Sequence, residues 1–472
     1  MRPLAALLPL CFVVAACGTI NFVVTDGGRD SASHPADAAF DATRADSQSN
    51  PPPDGSRSDS ESADARATDA HPGDARSTDG PTHDGPAIDA RLNADARADA
   101  GVDAGGPVIT VDQTTTCAPA TGTPACPYPT ILAGMAAAAT MGNVPLTVHV
   151  VGKSGGLKYV ETNAVVVPAN VTLHGDGPAI TALSASGNSA MCGSTPCAVV
   201  LQGELDGLAV TSPTGNGIVT LAPTASGPIP TVRNASVSGS GINGVCALGS
   251  VDLGPDIAVN LNTQAGVESP GAGGCGPAVT AGVVHVIAGV NTFDRNGGNG
   301  IDLSGAATLT FEGGTASGDV QGIRLSSSPP GAHSIVNLTA TGNTGPGAVV
   351  TYGGQSLSLR GSDLRGNTTV GLLHNYAGAS VLDLGVSVAG GNTFGGATSS
   401  ANNGRAGVIL CNSGATSSVT AQGDSWSKCP PSAALAIGSC AIGSLAYADV
   451  VYFPAGAAGD PVTDDSSCTK GN

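Results

Sequence analysis

From Pro107 onward, apolar and polar residues alternate in short bursts. Leu309-Thr-Phe, Val336-Asn-Leu, Leu357-Ser-Leu and Leu382-Asp-Leu each place large apolar side chains at every second position, the period of a half-buried strand. A second set of bursts opens with glycine: Gly217-Ile-Val-Thr, Gly244-Val-Cys-Ala, Gly300-Ile-Asp-Leu, Gly322-Ile-Arg-Leu, Gly347-Ala-Val-Val, Gly371-Leu-Leu-His and Gly407-Val-Ile-Leu. The steps are 27 residues (217 to 244), 22 (300 to 322), 25 (322 to 347) and 24 (347 to 371). The 56 residues between 244 and 300 make about two periods, and the 36 between 371 and 407 make one period plus an insertion near 390–403. A turn recurs with the strands: Gly366-Asn367, Gly342-Asn343 and Gly318-Asp319 stand 24 residues apart. Glycine and asparagine tolerate positive φ, so these pairs predict corners, and stacked asparagines at equivalent corners can hydrogen-bond from coil to coil.

Short strands at a period of roughly 20–28 residues, joined by Gly/Asn/Ser/Thr turns, predict a solenoid. One coil cannot bury its own inner face; a stack does so continuously. Helical repeats are disfavoured by the β-branched composition, and a leucine-rich repeat lacks its framework. A pair of packed β-sandwich sheets is the alternative.

Pro129 to Gly177 carries a further pattern: an apolar stretch Ile131–Thr140, a strand from Leu146 to Val151, and Val167-Pro168 leading to Leu173-His174-Gly175. This segment resembles the N-terminal part of the pectin-lyase-like right-handed parallel β-helices. It is most similar to the domain-of-unknown-function family 1565 of bacterial surface proteins. The resemblance implies an all-β, right-handed parallel β-helix, with a short capping helix near 130–140 covering the open edge of the first coil. Cysteine-bearing insertions at 191–197 and 245–275 depart from the pattern.

The ends of the chain read differently. Arg2 followed by an apolar run from Leu4 to Val14, then Ala15-Ala16-Cys17, resembles a lipoprotein signal peptide. The resemblance implies a signal segment at 1–16, acylation of Cys17, and anchoring of an exported protein in the cell envelope, at the outer membrane or cell surface. Residues 17–106 read as a disordered tether. Aspartates recur every fifth residue from Asp54 to Asp89, a period that suits neither helix nor strand. Between Thr25 and Gly106, 16 Asp and one Glu oppose seven Arg, so this stretch repels itself and stays extended. Residues 107–411 are then the β-helix, and 412–472 its C-terminal coils and disulfide-rich cap.

The formal charge is −18, which removes the electrostatic basis for nucleic-acid binding. Ten cysteines follow Cys17, namely Cys117, Cys126, Cys192, Cys197, Cys246, Cys275, Cys411, Cys429, Cys440 and Cys468. An even count in an exported chain predicts disulfides. Adjacent pairing (117–126, 192–197, 246–275, 411–429, 440–468) follows the local clustering.

Chemistry is sparse. Acids are few between 282 and 410, and the hydrolase signatures of the pectin-lyase-like enzymes do not occur in order. In the Gly-Ile-x-Leu strands Ile and Leu point inward, so Asp302 and Arg324 are predicted to stack on the outer face about 4.8 Å apart. Val349, Leu373 and Ile409 continue that row as apolar residues. Asp294 and Arg295 precede it, and Tyr352 and Tyr376 are the tyrosines to watch for ligand contact. The plain alternative for Asp302 and Arg324 is a surface ion pair. Phe293, Phe311 and Phe394 read as core. His285, His333 and His374 share no register, so no metal or cofactor is expected. The sequence reading is a non-catalytic β-helix for adhesion or for contact with envelope, matrix, glycans or cell-surface proteins. The alternative is a polysaccharide lyase or glycoside hydrolase.

Overall fold

The structure, a computed structural model, describes residues 106–472 except 154, 156, 194, 224–226, 271–274, 276–281, 328–330, 346, 353, 376–379, 387, 397–401, 414–420, 437–439, 441–446, 455–467 and 471–472. The described residues fall in the unit Asp89–Asn472. The signal segment, Cys17 and the acidic tether lie outside them.

Three parallel sheets enclose one core. Sheet I has eleven strands, from Val108–Val111 to Leu382–Asp383. Sheet III has twelve, with Val165–Val167 and Ala433–Leu435 at its edges. Sheet II has five, from Leu157–Glu161 to Ile257–Asn260, and continues upward as isolated bridges and two short strand pairs. Each coil visits the three in turn, as Val171–Gly175, Thr181–Ala185 and Cys197–Leu201 show. The chain is a parallel β-helix, and the β-sandwich alternative is ruled out.

Alternation explains the core. On sheet I, Val148, Leu173, Leu205, Val232, Leu253 and Val286 lie in one register column and are fully buried. Ile218, Val245, Val267, Ile301 and Ile323 form the matching column of sheet III. Each such side chain stabilises the stack by about 1.5–3 kcal/mol. Phe293 and Phe311 are core residues, as expected, and Phe394 stacks on the buried Trp426 with ring centroids 4.8 Å apart. The missing coil between 244 and 300 is supplied by Val267–Glu268, which pairs with both neighbours.

The helix Ile131–Thr140 covers the first coil. Thr130 caps it, its Oγ1 accepting from the Ala133 N–H at 3.1 Å, and the buried Glu161 carboxylate accepts from the Ile131 N–H at 2.7 Å. Its apolar face (Ile131, Met135, Ala138) packs on the first strands. A Cβ on Gly134 would lie 2.6 Å from Val111 Cγ2, so this crossing requires glycine.

At the corner between sheets II and III, asparagines stack. Asn262, Asn296, Asp319, Asn343, Asn367 and Asn403 form a ladder in which each backbone N–H donates to the side-chain oxygen of the next rung, at 2.6 to 3.2 Å. Gly318, Gly342 and Gly366 precede three rungs with φ of 72°, 67° and 67°, the conformation the turn motif predicts.

Three registers differ from the sequence reading. Val336-Asn-Leu338 is not one strand: Asn337 (φ 55°) turns the corner, Ile335 is the inward residue in line with Phe311 and Leu359, and Leu338 belongs to sheet II. Val349 points inward, and Val350 follows Arg324 on the outer row. At the C-terminal end the chain order inverts. Ala448–Pro454 inserts between Ala406–Ser413 and Ala433–Leu435, although it follows the latter in sequence. The buried Asp449 holds the inversion, accepting from the Ser427 N–H, the Ser432 N–H and the Tyr447 hydroxyl.

Disulfides join Cys117–Cys126, Cys192–Cys197 and Cys246–Cys275, as adjacent pairing predicts. The last four cysteines pair differently, as Cys411–Cys440 and Cys429–Cys468. Stacking decides this: Ser425–Trp426 lies directly beside Thr469–Lys470, which brings Cys468 to Cys429 rather than to its nearer neighbour Cys440.

Candidate functional site

The row predicted to carry ligand contacts is assembled as expected but is not an open face. Asp302 and Arg324 are register partners, with Arg324 Nη1 3.3 Å from Asp302 Oδ2. The guanidinium lies 5.6 Å from the centre of the Tyr352 ring, so these three residues meet. The neighbouring rung is Glu268, which accepts from Asn243 Nδ2, and Asn299 Nδ2 donates to Asp302 at 2.8 Å. Glu268 and Asp302 are 3% and 7% exposed, while the Arg324 side chain is 38% exposed, so the ion pair has one buried and one open partner. The outer side of sheet III is covered along most of its length. Cys192, Cys197, Cys246 and Cys275 pack with Val200 and Val219 over the lower coils, and Cys411 and Ala436 pack with Val350, Leu373 and Ile409 over the upper ones.

Asp294 and Arg295 do not join this cluster. Asp294 lies on sheet II, accepting from Thr315 Oγ1 at 2.8 Å and the Ser317 N–H at 2.8 Å, and Arg295 is exposed on the next turn. Tyr376 lies outside the described residues.

The open polar face is the outer side of sheet I, which sequence reading passed over. Its side chains come from the alternate positions of Leu146–Val150, Val171–Gly175, Glu204–Asp206 and Thr231–Arg233, where His149, His174, Asp206 and Arg233 follow one another coil by coil. His149 Nε2 lies 2.7 Å from Asp176 Oδ1, and His174 Nδ1 lies 3.1 Å from Asp206 Oδ2. The two imidazole rings are 5.7 Å apart. Arg233 bridges two carboxylates, with Nε 2.5 Å from Glu204 Oε1 and Nη2 3.4 Å from Asp206 Oδ2. About a third of the His149, Asp176 and Arg233 side chains is open to solvent, while Asp206 between them is largely buried, its side chain 9% exposed. Further up the face, His285 joins Asp252 and Glu312, each at 3.2 Å, and Arg360 pairs with Asp383 at 2.5 Å. Lys153 pairs with Asp112 at 3.2 Å beside the first coil.

The electrostatics follow from these contacts. The hydrogen bond to Asp206 raises the pKa of His174 against the opposing effect of burial. Burial pushes the Asp176 carboxyl up, but hydrogen bonds from His149 and the Gly152 N–H outweigh it and hold the group below its usual range. At the other end of the same strands lies an open depression of about 660 Å³, lined by Asn170, Thr172, Glu204 and Thr231 and by the apolar Pro145, Ala169, Pro228 and Ile229. Polar floors with small apolar walls suit a hydroxyl-rich ligand. The signal that sequence analysis could have used is the equivalence of Leu146-Thr-Val-His and Val171-Thr-Leu-His, which sets two histidines in one outward column.

His333 and His374 face inward. Burial pushes the His374 pKa down to about 4, and its Nδ1 lies 2.8 Å from Thr351 Oγ1. Trp426 belongs to the core.

No family model matches the chain, and no curated protein matches it. Membership of the family named above is therefore not supported by that comparison. Among solved structures, the chain is similar to the A-module of the mannuronan C-5 epimerase AlgE6 of Azotobacter vinelandii. The TM-score is 0.44 and the identity 15%, over 72% of this chain and 94% of that one. The assignment of the fold rests on the sheets themselves.

Proposed function

We propose that this chain is a glycan-binding β-helix whose ligand lies along the outer face of sheet I. The observation that carries the reading is the row of paired polar side chains from His149 to Arg233, with Asp252 and His285 in the neighbouring outward column and an open depression beside it. Coils stack about 4.8 Å apart, so successive rungs present donors and acceptors at intervals close to the length of one sugar ring. The role is adhesion or contact with envelope or matrix polysaccharide, exerted from the cell surface through acylated Cys17 and the acidic tether. A glycan array combined with a depolymerisation assay tests the binding part. Binding without cleavage, lost in Arg233→Ala and retained in Arg324→Ala, is the expected result; retention in the first variant and loss in the second would return the site to sheet III. For the anchor, metabolic labelling with a fatty acid should mark the wild type, and Cys17→Ser should be unlabelled and absent from the membrane fraction. An unlabelled wild type would reject the anchor and leave the glycan site untouched.

The second reading is a polysaccharide lyase or glycoside hydrolase. What favours it is the His174–Asp206 pair, a histidine held by a carboxylate beside an arginine, which is an arrangement that moves protons. Product formation in the depolymerisation assay, abolished by His174→Ala, would establish it.

A further inference from the structure

The charge on the same face bears on the class of glycan it would take. Among the described residues, its ion pairs contain seven carboxylates against three permanent cations, Lys153, Arg233 and Arg360, and three histidines that are cationic only when protonated. Each of those cations already has a carboxylate partner within 3.2 Å. The face therefore has few free cations to offer an incoming acid, and its excess of negative charge opposes a polyanion.

What it has to offer is carboxylate oxygen. Asp176, Glu204 and Glu312 use both oxygens, the second ones accepting from the Gly152 N–H, Thr172 Oγ1 and the Ala288 N–H respectively. Asp206 and Asp252 differ. Asp206 meets both His174 and Arg233 through Oδ2, and Asp252 meets His285 through Oδ1. Asp206 Oδ1 and Asp252 Oδ2 thus stand apart from these pairs. Glu204–Asp206, Thr231–Arg233 and Val251–Leu253 are consecutive strands of sheet I, and Asp252 stacks in the Glu204–Thr231 column, so the two aspartates are two coils apart, about 9.6 Å along the stack, and two residues, about 6.6 Å, apart along the strand direction. A hydroxyl donates one charge-assisted hydrogen bond to such an oxygen, and an ammonium group adds the attraction of a full opposite charge.

We infer that the glycan taken by sheet I carries free amino groups rather than carboxylates, with Asp206 and Asp252 each receiving one. The inference rests on the reading of this face as a glycan site and adds the class of sugar. The test is calorimetric titration of the folded protein with three hexamers of matched length: glucosamine, N-acetylglucosamine and a uronic acid. The glucosamine hexamer is expected to bind about tenfold more tightly than its acetylated form, with affinity falling as salt rises, and the uronate hexamer is expected not to bind. Asp252→Asn, a change at a partly exposed position, should lose several-fold affinity for the amine and little for the acetylated sugar. Asp206→Asn should do the same, with a thermal melt reporting whether its fold is intact. Equal binding of the amine and acetylated hexamers would overturn the inference and leave the glycan site standing. Preference for the uronate would overturn it outright. Binding of no oligosaccharide, here and on the array, would remove the glycan reading and the inference with it.

Discussion

Asp319 occupies a rung where the other members of its ladder are asparagines, and the difference has consequences. Its Oδ1 accepts from the N–H and Nδ2 of Asn296 at 2.6 and 3.3 Å, while its Oδ2 is buried with no hydrogen-bond partner among the described residues. Burial pushes its pKa up to about 8, against the opposing hydrogen bonds from Asn296. The folded chain then holds a proton that the unfolded chain releases near pH 4, so stability contributed by this group is present below that pH and is lost as pH rises toward about 8. Asp319→Asn should therefore stabilise the protein by at least about 2 kcal/mol at pH 8 and progressively less toward pH 4. Denaturant melts across that range are the check, and parallel curves for the two proteins would refute the account. Asp424, which accepts from the Asn392 N–H at 2.8 Å in a second ladder, is raised to about 7 by burial and predicts the same trend for Asp424→Asn. His174 has the opposite charge type. Its raised pKa gives stability that is full below about 6.5 and lost as pH climbs through the folded value. Asp206→Asn should lower the His174 pKa, measured by NMR titration of the imidazole.

Elements depend on how their ends and faces are covered. The helix Ile131–Thr140 protects the edge of the first coil, and Thr130→Ala should cost about 1 kcal/mol by removing its cap. Sheet III is apolar on both sides over much of its length, which is the state of a parallel sheet packed on two faces. The Cys246–Cys275 bridge, closing 29 residues, fastens part of the outer covering. Replacing both cysteines by serine should cost about 3 kcal/mol and expose Val200 and Val219, seen as increased binding of a hydrophobic dye. Among the described residues no such apolar cluster covers sheet I in the region of His149 to Arg233, and this contrast locates the candidate site.

At the scale of the whole stack, each coil rests on its neighbours, and damage at one end should stay local. Deletion of 448–472 removes a strand from between Ala406–Ser413 and Ala433–Leu435. Hydrogen exchange should then rise in the upper coils and remain slow between 146 and 260; uniform loss of protection would show a single cooperative unit instead. Much of this architecture was legible in the chain. The 24-residue recurrence of Gly-Asn and the Gly-Ile-x-Leu strands are local patterns, the capping helix was implied by the family resemblance, and burial of alternate residues follows from the pleat wherever coils stack. The stacking of Asp302 on Arg324 followed from the same logic. The sequence could not say which outer faces stay open. Cys192, Cys275 and Cys440 lie over sheet III, bonded to Cys197, Cys246 and Cys411 of its strands, and their reach depends on where distant segments meet in space. The pairing of the last four cysteines and the inverted strand Ala448–Pro454 have the same cause. Periodicity along one chain determines which side chains turn inward; contact between segments far apart in sequence decides which outward ones meet solvent.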